Sequence, residues 1–294
     1  MYRTRLISAI VAALISAPIL CGIDWPTTKN ELHYSFGQND HGRPSVGMLF
    51  SGNDSVRATD AGEIVFAASG GYFATQTDRF PYTLGSWIAV DHGNGIVSAY
   101  GNLEPFDATI ESKTIVEKGS VLGTSGISGW AENQGFFFSI FDRIERRWVN
   151  PTMLSPGRAD SRPPTVKSVT LIGRDGQNIP LAANRLIRQG SYRVIVEAFD
   201  TENAPRQYAL TPQRLVCLVN GSEQGALHLE TLKTINGELS VSRIKSSPAN
   251  LVYLNSGAFD LGDIRLSRGR TTIELIARDS GGNERVASFS IAVE

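Results

Sequence analysis

What most constrains this chain is how its apolar residues are grouped. They come in short runs, each cut off by glycine or by an Asn/Asp turn. Glu63-Ile-Val-Phe-Ala67, Ser86-Trp-Ile-Ala-Val90, Gly95-Ile-Val-Ser-Ala-Tyr100 and Phe136-Phe-Phe-Ser-Ile-Phe141 are of this kind. Runs this short match strands, and their spacing favours barrels and sandwiches over helix bundles. Asp91-His-Gly-Asn-Gly95 separates two of them, and glycine and asparagine tolerate the positive φ that a hairpin turn requires. Beyond residue 22 no stretch reads as an amphipathic helix, so the expected class is all-β. The 294 residues suffice for two domains at roughly 100–200 residues each. With 41% hydrophobic residues, 19% charged residues and a net charge of −1, the composition excludes a disordered tail, a coiled coil and a nucleic-acid binder working through a basic surface.

Residues 1–22 read as an address. Two arginines within Met1–Arg5 precede Leu6–Leu20, an uncharged run of apolar and small residues. A basic head and an apolar stretch of roughly 15 residues form the pattern of a secretory signal peptide. The stretch is short of the ~20 residues that cross a bilayer. Retention as an anchor, or lipidation at Cys21, stays open. Each of these routes puts the mature chain outside the cytoplasm, in the periplasm or cell envelope, and membrane contact is expected only through a retained signal or a lipidated Cys21. Removal of the leader leaves Cys217 alone within the apolar run Arg214–Val219, which reads as a buried, inert thiol.

The composition shifts at Gly157-Arg-Ala-Asp-Ser-Arg-Pro-Pro164, which reads as a linker and divides the mature chain into 23–160 and 161–294. The first part carries 10 Lys/Arg against 16 Asp/Glu and the second 16 against 13. In the second part Thr165–Ile172, Tyr192–Ala198, Arg214–Val219, Thr271–Ala277 and Ala287–Val293 read as strands. Asp279-Ser-Gly-Gly-Asn283 is a turn between the last two. About seven short strands without a helix suggest a sandwich, and the Gly-x-Tyr-x-Val strand and the final Ala-x-Asp…Gly-Asn hairpin resemble bacterial immunoglobulin-like and fibronectin-like modules.

In the first part an ordered series of segments carries a second likeness. It runs through Phe36-Gly37, Gly42-Arg43 and Gly47, then Asp54–Ala58 and Gly62–Val65. It continues through Ile88-Ala-Val-Asp-His-Gly-Asn-Gly95, Ser98-Ala-Tyr-Gly-Asn-Leu103 and Val116–Gly129, and ends at Val149-Asn-Pro151. From about residue 35 to 156 this series resembles the lysostaphin/LytM-type zinc metallopeptidases that cut peptidoglycan cross-links. The resemblance implies their glycine-rich, β-barrel-like fold, the duplicated hybrid motif.

Carried over residue by residue, the resemblance finds the metal site vacated. The family's His-x-Gly-x-Asp ligand motif corresponds to Ser45-Val-Gly-Met-Leu49, so Ser45 and Leu49 stand where ligands are expected. Tyr100 is kept, and Asn102 replaces a catalytic histidine. The His-Leu-His-Phe strand corresponds to Gly135–Ile140, which places Gly135 at a catalytic histidine and Phe137 at the third ligand; a one-residue shift would choose Phe136 and Phe138. A catalytic zinc takes three protein donors and a water. Leucine and phenylalanine offer none, and a serine hydroxyl is a poor ligand. No zinc and no catalytic residue are therefore expected, and an asparagine amide cannot replace the proton carrier.

Only four histidines are available to rebuild a site. His92 lies in the hairpin turn and reads as structural. His33 and His41 read as solvated loop residues, a relocated site of His41 with Asp40 or Asp54 being the remote alternative. His228 reads as pointing outward from a strand. Phe136–Phe138 reads as core and groove wall, with an aromatic ligand platform as its alternative. The leading expectation is an inactive LytM-type homologue acting as a regulator, as metal-free relatives activate peptidoglycan amidases, or as a binding module. Its groove would be lined by Ser45, Leu49, Tyr100, Asn102 and Phe137, and its partner would be peptidoglycan or a peptidoglycan hydrolase, not nucleic acid. The alternatives are an envelope scaffold with an unused groove and a residual metalloendopeptidase with an unconventional site.

Overall fold

The computed structural model describes residues 22–28, 31–69, 83–106, 110, 113–204 and 206–294. The leader up to Cys21 lies outside the described residues. Among the described residues the named elements are strands apart from two 3-10 turns, Pro151–Met153 and Ala249–Leu251.

The first half opens with β1 (Leu32–Tyr34), the small pair β2 (Asn39–Asp40) and β3 (Arg43–Pro44), and β4 (Met48–Ser51). β5 (Ser55–Arg57), β6 (Gly62–Ala68), β7 (Ser86–Asp91) and β8 (Ile96–Leu103) follow, and β9 (Ile115–Val116), β10 (Val121–Thr124), β11 (Gly135–Asp142) and β12 (Arg147–Val149) complete it. β9, β6, β7, β8, β11 and β12 lie side by side in one antiparallel run, with β4 also pairing to β11. The turn Asp91–Gly95 joins β7 to β8 as the sequence implies, with φ of +78°, +50° and +82° at Gly93, Asn94 and Gly95. Alternation sets which side chains enter the core. In β4 and β11, Met48, Phe50, Phe136 and Phe138 are buried, while Leu49 and Phe137 between them are only partly so.

The second half is a two-sheet sandwich. One sheet holds β14 (Asn178–Pro180), β13 (Thr165–Ile172), β16 (Gly190–Phe199) and β21 (Phe259–Leu266) in that order. Facing it, β15 (Leu186–Ile187) pairs in parallel with β23 (Glu284–Val293), then β22 (Gly269–Arg278), β17 (Arg214–Val219) and β18 (Ser222–Ile235) continue the sheet. β19 (Glu238–Ser242) and β20 (Ser247–Pro248) extend it beyond β18. The strands read from sequence are present, the one read at His228 being β18; β14, β15, β19, β20 and β21 were not among them. Burial alternates along β17, so Cys217 points inward, and burial pushes its thiol up to about 12.

The segment 157–164 contains no strand, yet the halves do not hang apart on it. β12 pairs with β18, matching Trp148 to Leu232, so one sheet runs through both halves. The Asn150 N–H donates to the Glu230 carbonyl and its side-chain amide to the Leu229 carbonyl, both at 2.9 Å. The buried Tyr253 hydroxyl donates to the Gly37 carbonyl at 2.8 Å. The Leu229 methyls lie so close to Gly37, at φ +72°, that a Cβ there would meet one at 2.8 Å. Arg158, in the connecting segment, pairs with Glu202 at 2.6 Å and stands over the rings of Trp25 and Phe50.

Candidate functional site

The pairing of β4 with β11 puts Leu49 opposite Phe137, and that of β8 with β11 puts Gly101 on the other side of Phe137. Directly opposed residues share a face, so Leu49 and Phe137 look together onto the surface opposite the Phe136–Phe138 core face. A groove of about 390 Å³ lies there, bounded by Ser45, Leu49, Asn102, Gly135 and Phe137 among others. Of the two registers open in the sequence, the pairing places Phe137 in the groove and Phe136 and Phe138 in the core. The Phe137 ring lies across the Gly47 backbone, where a Cβ would fall 2.4 Å from its Cζ. A glycine is thus required beneath the ring.

Tyr100 does not reach the groove, contrary to the expectation that it lines it. It pairs with Phe138 on the core face, is fully buried, and its ring packs against the Phe138 ring. Burial holds its phenol above the ordinary range, opposed by hydrogen bonds with Ser98 and Thr59. Asn102, two residues on, would share that face in a regular strand. Its φ of +60° breaks the alternation and turns it toward the groove. There its amide donates to the carbonyls of Ser128 (2.9 Å) and Thr83 (3.4 Å). Asn102 is therefore a tie between two loops beside the groove.

The histidines fall into distinct roles. His92 bridges Ala61 and Ser98: Nδ1 lies 2.9 Å from the Ala61 carbonyl, which can only accept, so that nitrogen carries a proton. Its Nε2 lies 2.7 Å from Ser98 Oγ, which in turn reaches the Tyr100 hydroxyl. His41 is exposed and pairs with Asp40 at 2.8 Å. Asp54 is engaged by the Thr27 hydroxyl and the Ser55 N–H and does not line the groove, so the relocated His41–Asp54 arrangement is not assembled. His228 is half-buried on β18 beside Glu230.

His33 is not a solvated loop residue. It sits in β1, its ring 4.7 Å from that of Tyr34 and 4.3 Å from that of Tyr208 in the second half. Burial lowers its pKa, with Glu132 opposing. His33 and Tyr34 form one rim of the groove, and Trp130, 63% exposed, lies on another part of it. These aromatic rim residues were missed in the sequence. A tryptophan immediately after Ser125-Gly-Ile-Ser-Gly129 was the available signal, since a glycine-rich loop seldom buries a large ring.

The donor set does not fit a catalytic zinc. Leu49 and Phe137 carry no ligand atom, and the Ser45 hydroxyl donates to the Gly47 carbonyl at 2.9 Å. Three donors of nitrogen, sulfur or carboxylate type are needed, and Ser45, Leu49 and Phe137 supply one hydroxyl. His33, Asp40, His41 and Glu132 also line the groove, but among the described residues no three of them converge on one point. Shape and an aromatic rim suit this groove to binding.

Residues 44–151 match the model of Peptidase family M23, and a second family model, which carries no description, matches residues 163–294. The chain is 29% identical over 149 residues to a protein of Treponema pallidum (strain Nichols) described as uncharacterized, covering 46% of this chain and 97% of the relative. A zinc containing peptidase from Vibrio cholerae shares 18% identity over 42% of this chain and 37% of its own, with a TM-score of 0.34. The antimicrobial peptidase lysostaphin from Staphylococcus simulans shares 16% identity over 72% of this chain and 81% of its own, with a TM-score of 0.33.

Proposed function

We propose that residues 23–160 form a LytM-type domain without hydrolytic activity. It acts outside the cytoplasm as an amidase-activator-like regulator or a binding module in peptidoglycan remodelling. The observation that carries this is the contrast within one groove. Its walls are built by the strands β4, β8 and β11, while Ser45, Leu49 and Phe137 hold the positions where the resemblance places zinc ligands. A groove retained without its chemistry is suited to holding a polymer or a protein surface. Its aromatic rim supports that use, because sugar rings and peptides both pack on exposed aromatic faces.

Residues 161–294 form, in the same reading, an immunoglobulin-like module. Support comes from the strand order: three long strands β13, β16 and β21 in one sheet face β23, β22, β17 and β18 in the other, with an early short strand, β15, set parallel to the last. That arrangement follows the variable-type immunoglobulin pattern of sheets. The M23 match and the secretory pattern of residues 1–22 support an envelope location.

The test combines purified chain with isolated peptidoglycan sacculi and, separately, with a peptidoglycan amidase. Co-sedimentation with sacculi or stimulation of the amidase is expected, without zinc-dependent loss of sacculus turbidity, and Trp130→Ala should weaken the effect. Zinc-dependent digestion would overturn the loss of activity. Neither binding nor stimulation by a folded chain would overturn the regulator and binding-module reading in favour of a scaffold.

A further inference from the structure

Outside the groove, the junction gathers three carboxylates from separate parts of the chain. Asp160 belongs to the connecting segment, Asp200 directly follows β16, and Asp279 directly follows β22. One oxygen of each lies within 4.8 Å of the others. Like charges this close repel, and water screens two of them little: Asp200 is 7% exposed and Asp279 is 2% exposed, while Asp160 is half-buried. Asp279 is oriented by Asn283, whose N–H and side-chain amide both donate to it at 2.8 Å. The same amide reaches the Asp160 carbonyl at 3.3 Å, and the Arg162 N–H donates to the Asp160 carboxylate.

Asp200 is the exception. Its Oδ1 is buried and has no hydrogen-bond partner. An unpaired buried carboxylate oxygen is costly, and the Arg158 guanidinium, in the same connecting segment, is engaged by Glu202. Burial first, and then Asp279 and the other acids, push the Asp200 carboxyl up to about 7. Oxygens sharing one calcium ion at 2.3–2.6 Å can stand up to about 5 Å apart, and calcium takes carboxylates and backbone carbonyls together. The spacing, the all-oxygen donors and the unpaired oxygen are met by the same occupant.

We propose that Asp160, Asp200 and Asp279 bind a calcium ion that fastens the connecting segment to the second half. The ion would neutralise the repulsion and give Asp200 Oδ1 its missing partner. Because Asp160 lies two residues from Arg158, which packs against Trp25 and Phe50, calcium would also stiffen the seat of the first half. The site is independent of what the groove does.

Thermal unfolding of the purified chain, first stripped with a chelator and then titrated with calcium alone, tests this. Extracellular calcium modules bind at about 10⁻⁴–10⁻³ M. At tenfold excess over such a constant, a rise of roughly 3–6 °C is expected for a chain of this size. Asp200→Asn should lose the rise while unfolding no earlier than the stripped wild type, since it removes the repulsion. Asp160→Asn, a less buried change, should weaken the response at least tenfold in calcium and decides the matter if Asp200→Asn does not fold. No calcium-dependent rise at 10 mM (about ten times the weaker of those constants) would overturn the proposal. So would an undiminished rise in both variants, which would put the ion elsewhere.

Discussion

Replacing Leu229 by alanine tests whether the two halves unfold as one body. Leu229 is fully buried in β18, with its methyls against Gly37 of the first half. Truncation loses the transfer energy of the removed carbons and leaves a cavity, together about 2–5 kcal/mol. With a urea slope of ~3 kcal/mol/M, a 3 kcal/mol loss lowers the midpoint by about 1 M. All four tryptophans, Trp25, Trp87, Trp130 and Trp148, precede the connecting segment. Tryptophan emission therefore reports the first half, and through Trp148, which pairs with Leu232, the junction as well, although the substitution lies in the second half. The expected result is a fall of about 1 M in the emission midpoint, coincident with the far-UV circular dichroism transition, as two-state coupling requires. An emission midpoint left at the wild-type value, beside a dichroism transition that shifts alone, would refute the coupling drawn from the shared sheet.

Three further outcomes are expected. His33 takes up its proton less readily in the folded chain than in the unfolded one, because burial lowers its pKa from 6.5. It therefore costs nothing well above pH 6.5, and stability falls as the pH drops through 6.5 toward its folded value. His33→Phe should flatten that part of the urea-midpoint profile, and an unchanged profile would assign the loss to other groups. Cys217, buried and with its thiol pushed up to about 12, should resist a thiol reagent in native buffer and react only on unfolding; rapid native labelling would contradict its placement. Combining Ser45→His, Leu49→Asp and Phe137→His restores the donor types that the resemblance implies, and elemental analysis should find about one zinc per chain. Failure to retain zinc in a folded triple variant would count against the alignment of these three positions.

The strands themselves were legible in the sequence because a strand is a local pattern. Short apolar runs between glycine and Asn/Asp turns located β6, β7, β8 and β11, and β13, β16, β17, β22 and β23 were equally visible. Pairing between distant segments was not. Nothing near Arg147–Val149 announces that it will join Thr231–Lys233, and that one pairing makes the junction a shared sheet. Of β18 only the piece around His228 was visible, because its fourteen residues mix charged, small and apolar positions. At the site, the ordered motifs led to Ser45, Leu49, Asn102 and Phe137, which lie along the groove, but not to His33, Tyr34 or Trp130, and Tyr100 was misplaced because alternation breaks at Asn102. Its positive φ reverses the face assignment that places Tyr100 beside it. Backbone strain of that kind leaves only the hint that asparagine tolerates it.

A groove lined by Leu49 and Phe137 differs from a metal site in what holds it together. Carboxylate and imidazole ligands converging on a half-buried spot repel or remain unpaired unless a cation joins them, so in metal sites binding energy is also folding energy. Here Leu49 and Phe137 face each other across paired strands, and the Phe137 ring covers Gly47. Each such contact adds stability through apolar burial, at about 25 cal/mol per Å², with no ion required. Asn102 acts in the same sense, since its amide is spent on the Ser128 and Thr83 carbonyls. The groove's shape is thus fixed by packing and backbone hydrogen bonds. His33, Tyr34 and Trp130 lie along the same groove, with Trp130 63% exposed. Junction and groove differ in kind: Leu49 and Phe137 put hydrocarbon side by side in the groove, whereas the junction brings the carboxylates of Asp160, Asp200 and Asp279 together.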